Sequence, residues 1–508
     1  MNKYVVYDLT CLISQQVSGT PTGTVRVDLA YADYLINRHA DSTIFVRQFG
    51  NYLVVIDPEE VYELIQHLKQ SWNSGIHDDA HDGSPRENLE FRLRHHSLWD
   101  PDYDTFFSMP FIDRFNFLLN QELTEIFGKE FKWVRRLPFP IKLLYSLLAS
   151  LGRFPARFFL RSGQCIGIYL HTHNFSSALR FLKVKNKQIV TLDSLVLSNK
   201  TKTPDAQYLY FYTAYNRGFP FAALDSLGRI AHLELLIFIH DLIIIYYPEY
   251  FLPVNHEAQT SWLKRLLSLH PHIIANSETT KSYLVNFAAE HKRRIGSIAV
   301  SYIGVEPCFK QPARQSAANG KTYFVVISTI EPRKNHLLLL NIWRELAMSD
   351  FDPVPDLYIV GKRGWENENV VDMLQRCQPI QKHVHEVSEM SDHELIHLMQ
   401  GTRALLYPSF CEGWGMPVVE ALTLGAPVIC SDIPELRESG QGIPDYFSPL
   451  DGLGWKNAIR DYCKQDSGLR LAQLGRIKSF IPPTWESHFN LVRNEFIERL
   501  EPGIPGRV

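Results

Sequence analysis

The chain has 508 residues, 45% of them apolar, and a formal net charge of -3. That length exceeds what one hydrophobic core supports, so two or more domains are expected, and the near-neutral balance excludes a globally basic nucleic-acid binder. Seven scattered cysteines with no C-x-x-C pair exclude a disulfide framework and a structural zinc site of that kind.

The first segment, "MNKYVVYDLTCLIS", has a short apolar run broken by Asp8 and no small-residue cleavage site, so it reads as a first strand and not as a signal peptide. "STIFVRQF" reads as the next strand, and "IGIYLHTH", "LLIFIHD" and "HIIANS" follow with longer, irregular insertions between them. The segment from Phe131 to Gln164 holds Lys132, Arg135, Arg136, Lys142, Arg153, Arg157 and Arg161, many Phe and Leu residues, and no acid. Such a basic amphipathic stretch suits an anionic membrane surface; the alternative is an ordinary hairpin of helices with a solvated basic face. The most apolar long run, Leu233 to Tyr247, carries His240 and Asp241 at its middle and is too short to span a bilayer. The expectation is a reduced, soluble, cytoplasmic protein, peripheral to the cytoplasmic face of the inner membrane if the basic segment binds there.

A polar break, "KQPARQSAANGK" (Lys310 to Lys321), separates two halves. Beyond it, apolar strands alternate with helices: "TYFVVIST", "NHLLLLNIWREL", "DLYIVG", "SDHELIHLMQG" with Ser391 as cap, "ALLYPS", "PVVEALTLG" and "PVICSD". "TWESHFNLVRNEFIERL" closes the chain as an amphipathic helix. The predicted architecture is α/β. Two Rossmann-like, doubly wound domains, residues 1–310 and 321–480, face each other across a cleft, and the helix of residues 481–508 packs back on the first. Ligands of such sheets bind at the carboxyl ends of the strands. No G-x-G-x-x-G follows any strand, so a dinucleotide reading has no motif here.

Two stretches carry chemistry. "STIEPRKN" places Arg333 and Lys334 at a helix start, where the helix dipole already favours an anion. A phosphate between the two cations makes sense of them; a ligand-free basic turn is the plainer alternative. "FCEGWGMPVVEALTL" sets Glu412 and Glu420 eight residues apart around Gly413, Trp414, Gly415 and Met416. The glycines allow close approach of a polar ligand, Glu412 suits sugar hydroxyls, and Glu420 suits a ribose. The plainer alternative makes Glu420 a first-turn acid and Glu412 a solvated one, which leaves the glycine-rich loop unexplained.

Together these stretches resemble the retaining glycosyltransferases of family four, of the two-domain GT-B type. Supporting matches are "IVGKRGW", "VSYIGVEP" and "YFSPLD", and the resemblance covers about Lys321 to Phe480. More thinly, "FIHDLIIIYYPEYF" and "ANSETTKSYL" resemble family segments of the first half, and "GTPTGTVRVDLAYADYL" resembles the loop after the first strand. The resemblance implies a metal-independent hexosyltransferase that retains anomeric configuration, without a bound cofactor, using a nucleotide-sugar donor such as GDP-mannose. It implies Arg333, Lys334 and Gly23 at the donor diphosphate and Glu412, Gly413, Trp414, Gly415, Met416 and Glu420 at the sugar and ribose. His240, Asp241 and Glu412 become the candidate catalytic residues, and Arg26 a contact to acceptor or phosphate. "EPRKNH", "GW" and "HDL" resemble the O-antigen and capsule mannosyltransferases of bacterial surface polysaccharide assembly, which act on glycan or lipid-linked glycan acceptors. A nucleotide-sugar epimerase of the same fold and a non-catalytic nucleotide- or glycan-binding module are the competing readings.

Overall fold

The computed structural model describes residues 3–14, 23–49, 52–74, 190–200, 203–214, 219–310, 322–388 and 390–498. The basic segment 131–164, the strand expected at "IGIYLHTH" and most of the polar break lie outside them. The first sheet has seven strands, β1 (Lys3–Asp8), β2 (Thr43–Phe49), β3 (Tyr52–Val55), β4 (Gln207–Tyr212), β5 (His232–Ile239), β6 (His272–Ala275) and β7 (Ser297–Val300). Their spatial order is β3-β2-β1-β4-β5-β6-β7, and every pairing is parallel except β2 with β3 at the edge. The second sheet is wholly parallel, with β8 (Tyr323–Ile327), β9 (Asp356–Val360), β10 (Val384–Val387), β11 (Leu405–Tyr407), β12 (Val428–Ser431) and β13 (Asp445–Phe447) in the order β10-β9-β8-β11-β12-β13. Both sheets are doubly wound, reversing between β1 and β4 and between β8 and β11.

The helices that position the site are α1 (Gly23–Arg38), α2 (Glu278–Glu290), α3 (His336–Met348), α4 (Asp392–Gly401), α5 (Met416–Thr423), α6 (Pro434–Gly440) and α7 (Trp485–Val492). Local chemistry sets their starts. Ser391 and Glu394 form a capping box on α4, Ser277 caps α2 by accepting from the Thr280 amide, and Pro417 fits the first turn of α5. The central strands are buried on both faces, which is why they read as unbroken apolar runs. Among the described residues no helix is long and apolar enough to cross a membrane.

Helix α7, although it follows the second sheet in sequence, packs on the first. Thr484 caps it, Phe489 stacks on Tyr34 with ring centroids 4.1 Å apart, and His488 lies between Tyr31 Oη (2.5 Å) and Ser301 Oγ (2.7 Å). Burial lowers the His488 pKa to about 4, so the ring is neutral in the folded protein. Unfolding restores an ordinary value near 6.5, so the neutral ring's contribution is present above that pH and is lost as pH falls towards 4. Over that window His488 is expected to withdraw roughly 3 kcal/mol of stability. Denaturant titrations at a series of pH values check this: the acid-side loss should be shallower in His488→Gln, and identical slopes would remove His488 as its source.

Candidate active site

Strands β8 and β11 are neighbours where the second sheet reverses, and the loops leaving their carboxyl ends carry the charges. After β8, Pro332–Lys334 forms a tight 3-10 turn, and Asn335 takes a left-handed conformation (φ 55°) that passes the chain into α3. Asn335 Nδ2 donates to the carbonyls of Pro408 (3.2 Å) and Pro449 (3.0 Å), while the Phe410 amide donates to Arg333 O (2.8 Å). The β8 loop is therefore sewn to the β11 loop by hydrogen bonds to backbone carbonyls.

This stitching brings the basic pair to Glu412. Lys334 Nζ lies 2.5 Å from Glu412 Oε1 and 3.1 Å from Tyr407 Oη; Arg333 Nη1 lies 3.1 Å from Glu412 Oε2 and 3.1 Å from Cys411 O. On its other side, Arg333 Nε meets Glu331 Oε1 at 2.7 Å. Burial alone would raise the Glu412 pKa; the charges of Lys334 and Arg333 and hydrogen bonds from Lys334 and Ser409 instead bring it down to about 2. Burial pushes Glu331 up, opposed by the same two cations, and burial with the adjacent Arg333 pushes Lys334 down, opposed by Glu412. The sequence reading set an anion between Arg333 and Lys334, and the structure supplies one from within the chain, the Glu412 carboxylate.

Residues of the first sheet close against this loop. Gly413 abuts the carboxyl end of β5, where a Cβ would stand 2.5 Å from His240 O and 3.0 Å from Asp241 Cβ. Asn276 donates to His240 O (2.6 Å) and Ser277 Oγ donates to Gly413 O (3.1 Å), fixing both partners of that contact. His240 Nε2 is 2.7 Å from Thr213 O, and because a carbonyl only accepts, that nitrogen carries the proton. Burial lowers the ring's pKa, so His240 is neutral and Nδ1 holds its lone pair. Asp241 accepts from the Ile243 amide (3.0 Å), and its charge reaches Arg333.

A second cluster joins the two sheets further along the seam. Arg26 on α1 forms a bidentate pair with Asp392 at the start of α4, at 3.0 and 2.6 Å, so its guanidinium fork is engaged there. Glu420 on α5 is 7% exposed beside this pair; burial raises its pKa to about 7, with Arg26 opposing and Asp392 and Glu306 reinforcing. Gly23 packs on Met416, with 3.0 Å left between a built Cβ and the sulfur, and the loop before it lies outside the described residues. Gly415 (φ 92°) supplies the left-handed cap of α5, and Trp414 stacks on Tyr302 at 4.8 Å.

His240, Asp241, Arg333, Lys334, Glu412 and Gly413 thus lie together, while Arg26 and Glu420 form their own cluster beside them. Sequence reading did not single out Glu331, Tyr407, Asn276, Asp392 or Glu306. Glu331 had a local signal, since it directly precedes the Pro332–Lys334 turn; the others became relevant only through the topology.

Residues 309–439 match the family described as Glycosyl transferases group 1. That span includes Glu331, Arg333, Lys334, Asp392, Glu412 and Glu420. The chain is 26% identical over 239 residues to the serotype-specific mannosyltransferase WbdA of Escherichia coli, covering 44% of this chain and 29% of that relative. It is 26% identical over 294 residues to the O-antigen chain mannosyltransferase RfbU of Salmonella typhimurium, covering 54% of this chain and 76% of that one. The chain spans less than a third of WbdA. Among solved structures, the sucrose-phosphate synthase of Thermosynechococcus elongatus aligns with a TM-score of 0.46 at 18% identity, over 60% of this chain and 78% of that one. The chain resembles the group 1 glycosyl transferases, and residues 309–439 carry their domain.

Proposed function

We propose that the protein is a retaining glycosyltransferase that moves a hexose from a nucleotide sugar to a glycan or lipid-linked glycan in bacterial surface polysaccharide assembly. The observation that carries this reading is the meeting of Arg333, Lys334 and Glu412 at the switch point of the second sheet, against His240 and Asp241 of the first. Doubly wound sheets bind their ligands at that place, and a buried lysine beside a half-buried arginine there suits a diphosphate. Mannose, from GDP-mannose, is the preferred hexose because the relatives above are mannosyltransferases.

Each residue takes a role that its chemistry permits. Arg333 and Lys334 stabilise the charge that develops on the leaving nucleoside diphosphate, a task that needs no metal ion when two cations are already placed. Glu412 orients the donor sugar through its hydroxyls. Neutral His240 offers Nδ1 as an acceptor to a sugar hydroxyl, held in that tautomer by Thr213 O. Glu420, with Arg26 near it, faces the ribose. Departure and attack on the same face of the sugar give retention, with a phosphate oxygen taking the acceptor's proton.

The test is turnover. Incubation with GDP-mannose and other nucleotide hexoses plus an oligomannoside acceptor should release nucleoside diphosphate and yield an α-linked product, read by anomeric couplings. An inverted linkage would reject retention, acceptor-independent isomerisation would favour an epimerase, and no turnover with any donor would favour a binding module.

A further inference from the structure

We infer that Glu412 is the site's own counter-anion and that the donor diphosphate binds by displacing it from Lys334 and Arg333. This rests on the donor-site reading above and deepens it. Four groups make the case: Arg333 and Lys334 on one side, Glu331 and Glu412 on the other, all joined by contacts of 2.5 to 3.1 Å. Glu331, Lys334 and Glu412 are 3%, 7% and 6% exposed and Arg333 is half-buried, so these charges are screened less than surface pairs are. Its formal sum is zero. A nucleoside diphosphate brings at least two negative charges, and adding them to a neutral buried cluster leaves an uncompensated buried anion.

Exchange leaves that sum unchanged but moves the unpaired charge onto a carboxylate that the hydroxyls of the donor sugar can bond. When phosphate oxygens take the places of Oε1 and Oε2, the cations keep their partners, and rotation of the Glu412 side chain about χ1 frees its carboxylate for the sugar. Glu331 stays on Arg333 Nε, on the far side of the guanidinium, and holds the Nη groups towards the site. It is a positioning residue. Tyr407, bonded to Lys334 Nζ at 3.1 Å, does the same for the amine. One carboxylate then serves two states: it neutralises the cations before the donor arrives and orients the sugar afterwards. A sugar without phosphates cannot make the exchange, so the site selects for the diphosphate before it selects for the sugar.

The consequence is an affinity gain where a merely structural role predicts a loss. GDP and UDP, without sugar, are titrated calorimetrically into wild type, Glu412→Gln and Lys334→Ala. Glu412→Gln keeps the volume but removes the competing charge, and it should bind the cognate diphosphate about tenfold tighter while transfer falls. Lys334→Ala should lose binding. A folded Glu412→Gln that binds as wild type does, or more weakly, overturns the exchange alone. Binding of neither nucleotide by any of the three overturns the donor-site reading and the exchange with it. If Glu412→Gln does not fold, Glu412→Asp decides: its shorter side chain cannot hold both cations, so a smaller tightening supports the exchange and unchanged affinity rejects it.

Discussion

Replacing Lys334 by alanine lowers kcat/KM for the nucleotide sugar by roughly two to three orders of magnitude, the range seen when one preorganised charge-stabilising donor is removed. The position permits no easy substitute. Lys334 is 7% exposed, and its ammonium sits 2.5 Å from Glu412 and 3.1 Å from Tyr407. Truncation leaves Glu412 to the Ser409 hydrogen bond and to Arg333, which Glu331 already shares. Breaking a buried pair outright costs about 3–5 kcal/mol, and the surviving Arg333 contact should hold the stability loss to the lower end of that range. Steady-state kinetics and thermal unfolding read the two effects separately. A variant that keeps more than about a third of wild-type kcat/KM would remove Lys334 from the chemistry.

Gly413→Ala is expected to act through the seam between the sheets. The added Cβ would stand 2.5 Å from His240 O, which is backbone already held by Asn276, and 3.0 Å from Asp241 Cβ. Neither neighbour is the free end of a mobile side chain, so the loop itself must shift. It would carry Glu412 and the Ser277–Gly413 hydrogen bond with it. Overpacking of this kind costs about 1–3 kcal/mol, and displacement of reacting groups by an ångström can remove a hundredfold in rate. Gly475→Ala provides the contrast: it lies in the helix Gly468–Ile477 with nothing within 4 Å of a built Cβ, and alanine there should stabilise by about 0.5–1 kcal/mol. Paired melting curves and activities check both. Equal melting of Gly413→Ala and wild type would mean that the loop is not clamped against β5.

The four central strands of the second sheet, β8, β9, β11 and β12, were legible in the sequence because they are apolar runs punctuated by helix signals such as Ser391, Pro417 and Gly425. The first sheet was less so. Its central strand β4, "QYLYFY", is buried at every position and rich in strand-favouring aromatics, yet the sequence reading did not single it out. β10 and β13 escape for a different reason: they are short, only partly buried and carry His, Glu and Asp. At the site, the residue types were legible but their partners were not. Lys334 and Glu412 are 78 positions apart, and only the crossover that seats β11 beside β8 makes them neighbours. The same applies to Arg26 and Asp392, 366 positions apart, where the acid alone reads as an ordinary first-turn residue of α4.

The displacement of Glu412 is seen most directly in the position of the phosphates in a crystal structure of the protein with its cognate nucleoside diphosphate. Phosphate oxygens are expected at hydrogen-bond distance from Lys334 Nζ and the Arg333 guanidinium, with the Glu412 carboxylate turned away from both. Phosphates bound elsewhere, or bound while Glu412 still bridges Lys334 and Arg333, would contradict it.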